Sequence, residues 1–470
     1  MWIGRTAIML FLVFVPGGLA QVLAINGHDL SRVSQLAVSW VCAIGLLIGA
    51  LCRTRDTMLV DRRVLIGGSL IVLLAIASAV HAPVTVAATR ELALALGLAG
   101  IAAVVAASRP GREMEWLGVT VVAATALYSA LVLLVIGVAV MQVGPLDRAW
   151  VIVGYNNYRF FNHAQTVMVP LLLIFCCRST RGGDLSRLAL FGLAMNVALL
   201  IFTLGRATAV ALTMATLVGL LLFRRAAFEF VRHLSIGVVL GGVVYVGLFV
   251  GLPWLAGSSA EALAPQGAAS FQSDHSRFLL WRLALDYISS EPWLGIGPMH
   301  YAHYVNTKAA HPHNIYLQLA SEWGLPFMIA IVGLSAWTMW RMARRIQACA
   351  IPEQATMGVG IFVAMLSIAI DGVFSGNFVM PVSQVWIAVA IGWAIAWTRA
   401  QPNTSANVPR VRLAYPWRVA FAATLVASQL WLWWSIAPEM LELSHYLDHV
   451  RLDLSKTGNL APRFWSDGWF

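Results

Sequence analysis

The chain has 470 residues, of which 60% are hydrophobic and 11% charged, against roughly 25% charged in an ordinary soluble domain. That composition excludes a soluble enzyme, a disordered chain and a disulfide-stapled secreted scaffold. Lys and Arg (31) exceed Asp and Glu (21); such a surplus can mark a nucleic-acid binder, but here it falls in short clusters between apolar runs, and no nucleic-acid partner is expected. Runs of about 17–25 apolar residues can cross a bilayer as helices. They lie near 7–24, 34–51, 64–81, 91–108, 116–141, 163–177, 188–204, 207–223, 234–252, 315–340, 355–374, 381–398 and 416–436. The pattern predicts an all-α polytopic membrane protein with twelve or thirteen transmembrane helices. The first run also resembles a signal peptide, although a second span so close behind it favours a retained helix. The five cysteines, Cys42, Cys52, Cys176, Cys177 and Cys349, contain no CxxC pair and read as packing residues.

Charge placement orients the spans. With the N-terminus in the cytoplasm and the spans alternating, the inside collects Arg5, the clusters at 53–63, 109–112, 178–187, 224–232 and 341–345, and Arg399, Arg410, Arg412 and Arg418. That is 20 of the 31 basic residues, the asymmetry expected of cytoplasmic loops. Residues 1–252 then form nine helices, 253–314 a large outer loop, and 315–398 three more helices. Residues 399–470 hold a polar linker, a Trp-rich thirteenth span if the count reaches it, and a tail. Thirteen spans put that tail outside; twelve keep it inside. A shorter outer loop lies near 142–162.

Formal charges inside apolar stretches are expensive and usually have a task. Arg206 is the one charge between Leu188 and Phe223, at a turn on the outer face. It either snorkels to headgroups or meets an anionic lipid head, most naturally a phosphate. In the large loop, Phe278, Trp281, Leu285 and Ile288 recur at helical spacing, which predicts an amphipathic helix on the bundle or the membrane surface. Arg277 and Arg282 lie on that helix about 140° apart. Arg282 has Asp286 as an i+4 partner, so Arg277 is the better ligand for an anion and Arg282 a second candidate. A flexible turn at Gly295-Ile-Gly297 follows, then His300, His303, His311 and His313. A metal site is disfavoured, because no Cys, Asp or Glu accompanies these histidines within 299–314. Pro312 predicts a helix start that puts His313 in a first helical turn. Free amides there favour phosphate and keep the imidazole neutral, able to accept a proton. His311 and Asn314 flank it as candidate substrate ligands. Glu322 lies about 13 Å deeper, where it neutralises a buried cation or joins two helices. Asp371 has no evident partner. Arg159, among the amides and aromatics of 156–163, is a weaker candidate for sugar or diphosphate.

Several of these pieces resemble the O-antigen ligase and polymerase superfamily of bacterial inner-membrane glycan transferases. They are the Arg206 turn, Ser276-Arg-x3-Trp281 with Pro292-Trp-Leu-Gly-Ile-Gly297, and His313-Asn-x2-Leu317-x4-Glu322-x-Gly324. Asp371-Gly-Val-Phe-Ser-Gly-Asn377 with Pro381-Val-Ser-Gln384 completes the set. The turn departs from it, with Leu-Gly-Arg-Ala where Ser-Arg-Gly is common. The resemblance implies a fold related to the GT-C glycosyltransferases and an active site facing the periplasm. It implies an undecaprenyl-diphosphate-linked O-antigen as donor and lipid A–core as acceptor. Arg206 and Arg277, with Arg159, would hold the diphosphate, and His313 would take the acceptor's proton, with no metal or other cofactor. Inversion is the outcome expected of direct displacement. Close alternatives are an O-linked oligosaccharyltransferase of pilin-like proteins and an O-antigen polymerase. A transporter of lipid-linked sugars is the reading from another class, and it lacks the internal repeat that such folds show.

Overall fold

The computed structural model describes residues 2–15, 27–52, 58–108, 112–142, 146–177, 183–257, 272–304, 306, 308–401, 410–441 and 462–470. The rest of the first apolar run, the first part of the large loop at 258–271 and the linker at 402–409 lie outside the described residues. The chain is an all-α polytopic membrane protein. In order, the helices are α1 (Trp2–Phe14), α2 (Gly27–Cys52), α3 (Arg62–His81), α4 (Thr85–Ala106), α5 (Arg112–Met141), the single turn α6 (Arg148–Val151), α7 (Tyr158–Cys176) and α8 (Gly183–Phe202). Then come α9 (Arg206–Phe223), α10 (Arg225–Tyr245), α11 (Gln272–Ser290), α12 (Ile315–Trp323), α13 (Leu325–Gln347), α14 (Pro352–Asp371), α15 (Pro381–Ala400) and α16 (Tyr415–Leu441). Twelve described helices are long and apolar enough to cross a membrane. They account for every expected run after the first, so the Trp-rich segment is a span. The described part of the first run is only the shorter helix α1.

Helix α7 runs through the middle of the bundle. Every residue from Phe161 to Cys176 is buried, as a helix that is apolar on all faces should be. Its few polar side chains are therefore obliged to pair inside the protein. Asn162 Nδ2 donates to Thr203 Oγ1 at 2.8 Å, Gln165 Nε2 to the Asn196 carbonyl at 2.8 Å, and Thr208 Oγ1 to the Asn162 carbonyl at 3.1 Å. These bonds tie the start of α7 to the Arg206 turn. Small residues let other helices close in: a Cβ on Gly241 of α10 would lie 2.5 Å from Val197 of α8.

The two ends of the bundle differ. One end carries the described basic residues at 62–63, 224–232 and 341–345. A two-stranded antiparallel sheet, β1 (Met58–Asp61) with β2 (Arg410–Leu413), joins two distant loops. Arg341 pairs with Asp61 beside it, and Arg345 donates to the Thr398 carbonyl. These strands are too short to stand out by alternation. The other end receives the starts of α2, α7, α9 and α15, the ends of α14 and α16, and the loop 291–314.

The apolar run 315–340 is two helices rather than one. It breaks at Gly324, whose φ is +89° and whose Cβ position would lie 2.2 Å from the Trp293 carbonyl oxygen. The turn Gly295-Ile-Gly297, expected to be flexible, is clamped in that break. Ile296 N and Gly297 N donate to the Ser321 and Glu322 carbonyls at 2.9 and 3.0 Å, and Leu325 N donates to the Pro292 carbonyl at 2.9 Å. The chain here closes on itself backbone to backbone, and side chains at Gly295 or Gly324 would part it.

Residues 462–470 return to the bundle as a strap. Arg32 of α2 spends its guanidinium on the Arg463, Phe464 and Val379 carbonyls and on the side chains of Gln35 and Gln384, all within 3.0 Å. Asp29 accepts from the backbone N–H and the hydroxyl of Ser466 at 2.6 and 2.7 Å. Phe464 and Trp465 pack among Leu36, Leu94, Leu432 and Ile436. Arg463 is the cation that Glu322 was expected to meet, with Nη2 2.6 Å from Glu322 Oε2.

Candidate active site

The loop carrying the histidines is held from three sides. Trp281 Nε1 of α11 donates to the Pro312 carbonyl at 3.1 Å, and the Tyr301 hydroxyl donates to the Leu280 carbonyl at 3.0 Å. From below, the Asp371–Asn377 turn abuts it: a Cβ on Gly376 would lie 2.7 Å from the His311 ring. Arg277 precedes Trp281 by one turn of the same helix. The helix α11 packs inward with Leu280, Ala284 and Tyr287. Phe278 and Leu285, expected on the packed stripe, are 66% and 54% exposed, because the Tyr301 bond turns the Leu280 side toward the protein.

His313 does not sit in a first helical turn. Its φ is +52°, and the residue that caps α12 is Asn314, whose Oδ1 accepts from Tyr316 N and Leu317 N at 3.0 and 3.1 Å. Ile315 N donates to the Gly372 carbonyl at 2.8 Å. The amides of that helix start are thus consumed, and the anion site expected there is not formed. Asn314 is the cap, which leaves only its amide hydrogens for a ligand.

The imidazole of His313 is kept neutral by other means. Burial comes first, then the charges of Arg277 and Arg159, and together they push its pKa down to about 4. Its ring makes no hydrogen bond with a described residue. His311 lies directly against it, ring centroids 4.1 Å apart, and is 3% exposed. Its Nδ1 accepts from His313 N at 3.3 Å. Burial, then the His313 charge, hold His311 well below the ordinary histidine range. His311 therefore supports His313 rather than presenting itself. His300 is a structural residue: Nε2 accepts from Val84 N at 2.9 Å and Nδ1 donates to the Pro298 carbonyl at 2.8 Å. His303 meets the Phe470 backbone oxygen at 3.0 Å.

The arginines divide. Arg277, half-buried, and Arg159, exposed at the start of α7, are the two whose charge reaches His313. Arg206 opens α9 with its side chain exposed and in no ion pair among the described residues. Its turn is bonded to Asn162, next to His163, but its charge is not among those acting on His313. Arg282 and Asp286 are both exposed and do not pair with each other. Asp371 has a partner after all: Ser375 Oγ donates to its Oδ2 at 2.7 Å, and His163 Nδ1 lies 3.9 Å from that oxygen. His163 is the site residue that sequence reasoning passed over. It stood in the Asn-rich run before α7, and only the meeting of α7 with the end of α14 marks it out.

Residues 188–332 match the family model described as O-Antigen ligase. Over that stretch the chain is similar to the O-antigen ligase/polymerase superfamily. Enzymes of this family are glycosyltransferase-like. The match covers Arg206, Arg277, Arg282, His311, His313, Asn314 and Glu322, while Arg159, His163 and Asp371 lie beyond it. No curated protein matches the chain.

Proposed function

We propose that this protein is an O-antigen ligase that moves a glycan from undecaprenyl diphosphate to a sugar hydroxyl of lipid A–core. The observation that carries the reading is His313: an imidazole with no hydrogen bond to a described residue, kept neutral by burial and then by the charges of Arg277 and Arg159, within the stretch that matches the O-antigen ligase model. A neutral imidazole can take the proton of an attacking hydroxyl. Guanidinium groups beside it can hold a diphosphate and stabilise the charge that grows as it leaves. Arg206, exposed at the same end at the start of a membrane-spanning helix, would meet the diphosphate from the membrane side. Arg282, exposed on α11, would contact the glycan. Direct attack at the anomeric carbon gives inversion, and charge on arginine makes a divalent ion unnecessary.

The charge asymmetry supports a sidedness with the described basic clusters in the cytoplasm and the site, at the opposite end, facing the periplasm across the inner membrane.

Purified protein in detergent, given an undecaprenyl-diphosphate glycan with lipid A–core or with a pilin-type protein, tests the reading. Transfer to lipid A–core that is lost in His313→Ala and survives EDTA supports it. Transfer only to protein, or chain extension without either acceptor, would reassign the enzyme to the oligosaccharyltransferase or polymerase branch. Equal transfer by His313→Ala would remove His313 as the base, and loss with EDTA restored by a divalent ion would reinstate a metal.

A further inference from the structure

Two imidazoles open onto this end of the bundle, and only one has a carboxylate behind it. His163 lies on α7 with its Nδ1 buried, without a hydrogen-bond partner, 3.9 Å from Asp371 Oδ2. Asp371 is wholly buried at the end of α14, and its Oδ1 is also unpartnered. Buried polar atoms are almost always paired, and those that are not call for an explanation. The other ring nitrogen, Nε2, is not shut in, and Phe160 stacks on the ring at 6.2 Å between centroids. A carboxylate at one nitrogen and an open second nitrogen is the arrangement that orients a histidine for proton transfer and stabilises its imidazolium.

His313 has the opposite surroundings. The charges acting on it are Arg277 and Arg159, and no carboxylate is among them. It accepts a proton at a place where two cations oppose keeping it. The charges of His313, Arg159 and Arg277 also reach His163, and His163 in turn acts on His311. Among the described residues, Asp371 is the one carboxylate within ion-pair distance of His163.

We propose that His163, backed by Asp371, is a second proton-accepting residue of this site, the one on which the acceptor's hydroxyl proton comes to rest. The proposal rests on the transferase reading above. The acceptor oxygen forms a bond to the anomeric carbon, and the carbon–oxygen bond to the diphosphate breaks, its electron pair leaving with the phosphate oxygen. The hydroxyl proton passes to His313 and, through water in the cleft, to Nε2 of His163. The Nδ1–H of His163 then donates to Asp371 Oδ2, so the imidazolium is held beside an anion. His313 is returned neutral for the next acceptor.

The test uses the full chain in detergent with an undecaprenyl-diphosphate glycan and whichever acceptor the wild type glycosylates. His163→Ala, His163→Gln and Asp371→Asn are compared with it. The expected result is a fall in kcat of about 10²-fold in each, with the donor KM unchanged. Added imidazole restores part of the rate to His163→Ala and none to His163→Gln, whose side chain still fills the space. The double variant His163→Ala with Asp371→Asn is no slower than the slower single, as for residues acting as a unit. Wild-type kcat in monodisperse His163→Gln, a loss confined to KM, or no imidazole rescue of His163→Ala would overturn the proposal and leave the transferase reading intact. A wild type that transfers to no acceptor would remove both.

Discussion

Replacing Glu322 by Leu removes the anion that meets Arg463 Nη2 at 2.6 Å. The two side chains are 0% and 1% exposed, so the guanidinium stays buried with, among the described residues, only the Glu91 carboxylate, at 3.4 Å and 19% exposed, to answer it. Breaking a buried pair from one side costs about 3–5 kcal/mol. Glu91 brings this toward the lower figure, while Tyr301 N and Gln318 Nε2 lose their acceptor, at about 1 kcal/mol each. Arg463→Met leaves Glu322 buried without its cation and should cost a similar amount. The double variant leaves neither charge behind, and apolar replacement of a whole buried pair is often near neutral. Expected are two single variants each less stable by about 3–5 kcal/mol and a double that recovers most of it, a coupling of about 5 kcal/mol or more. Thermal unfolding and SDS denaturation in detergent micelles would measure the cycle. Singles close to wild type, or a double equal to the sum of the singles, would refute a buried ionic clamp between strap and bundle.

Other expectations follow from the same loop. Burial lowers the pKa of His300 and His311, and that of His313 to about 4, so an unfolded chain binds more protons than the folded one below pH 6.5. Stability should therefore be lost as pH falls from 6.5 toward 4, with His313 contributing about 1–3 kcal/mol. A His313→Gln variant that unfolds with unchanged acid sensitivity would contradict this. Removing the Arg277 charge lets the His313 imidazolium form at higher pH, so the acid limb of kcat/KM in Arg277→Gln should move up, together with a weaker donor KM; a stationary limb would separate Arg277 from His313. Trp281→Phe orphans the Pro312 carbonyl at a cost of about 1 kcal/mol. Because that bond sets the His313 loop, its kcat should fall further than its melting temperature suggests, and unaltered kinetics would show that the loop stands without it.

Much of the architecture can be read from hydropathy alone, since each span after the first is a continuous apolar run and lipid leaves few alternatives to a helix. The break at Gly324 escapes that reading, because Leu325 and Pro326 restart a helix at once and the run stays apolar throughout. Among the site residues, His313 and Arg277 are visible as polar groups in short motifs. The order at the α12 start is not, because it turns on which of His313 and Asn314 becomes the cap, a choice made by the Gly372 carbonyl and the φ of His313. The partners of Glu322 and Asp371 are hidden for another reason. Arg463 lies 141 residues downstream of Glu322 in what reads as a polar tail, and His163 comes from another helix. Long-range pairing between buried charges leaves no periodic trace in a sequence.

The strap also bears on the order of assembly. A ribosome that has completed α12 has already delivered Glu322 to the membrane, with Tyr301 and Gln318 as its neighbours, but Arg463 has yet to be made. Four further spans are inserted while that carboxylate waits for its cation, and in the interim it is stable only protonated or wet. Arrival of residues 463–466 would supply that cation, together with the bonds to Arg32 and Asp29. The nascent protein would thus acquire its spans well before its reaction centre, and stay inert while other chains are threaded into the same bilayer.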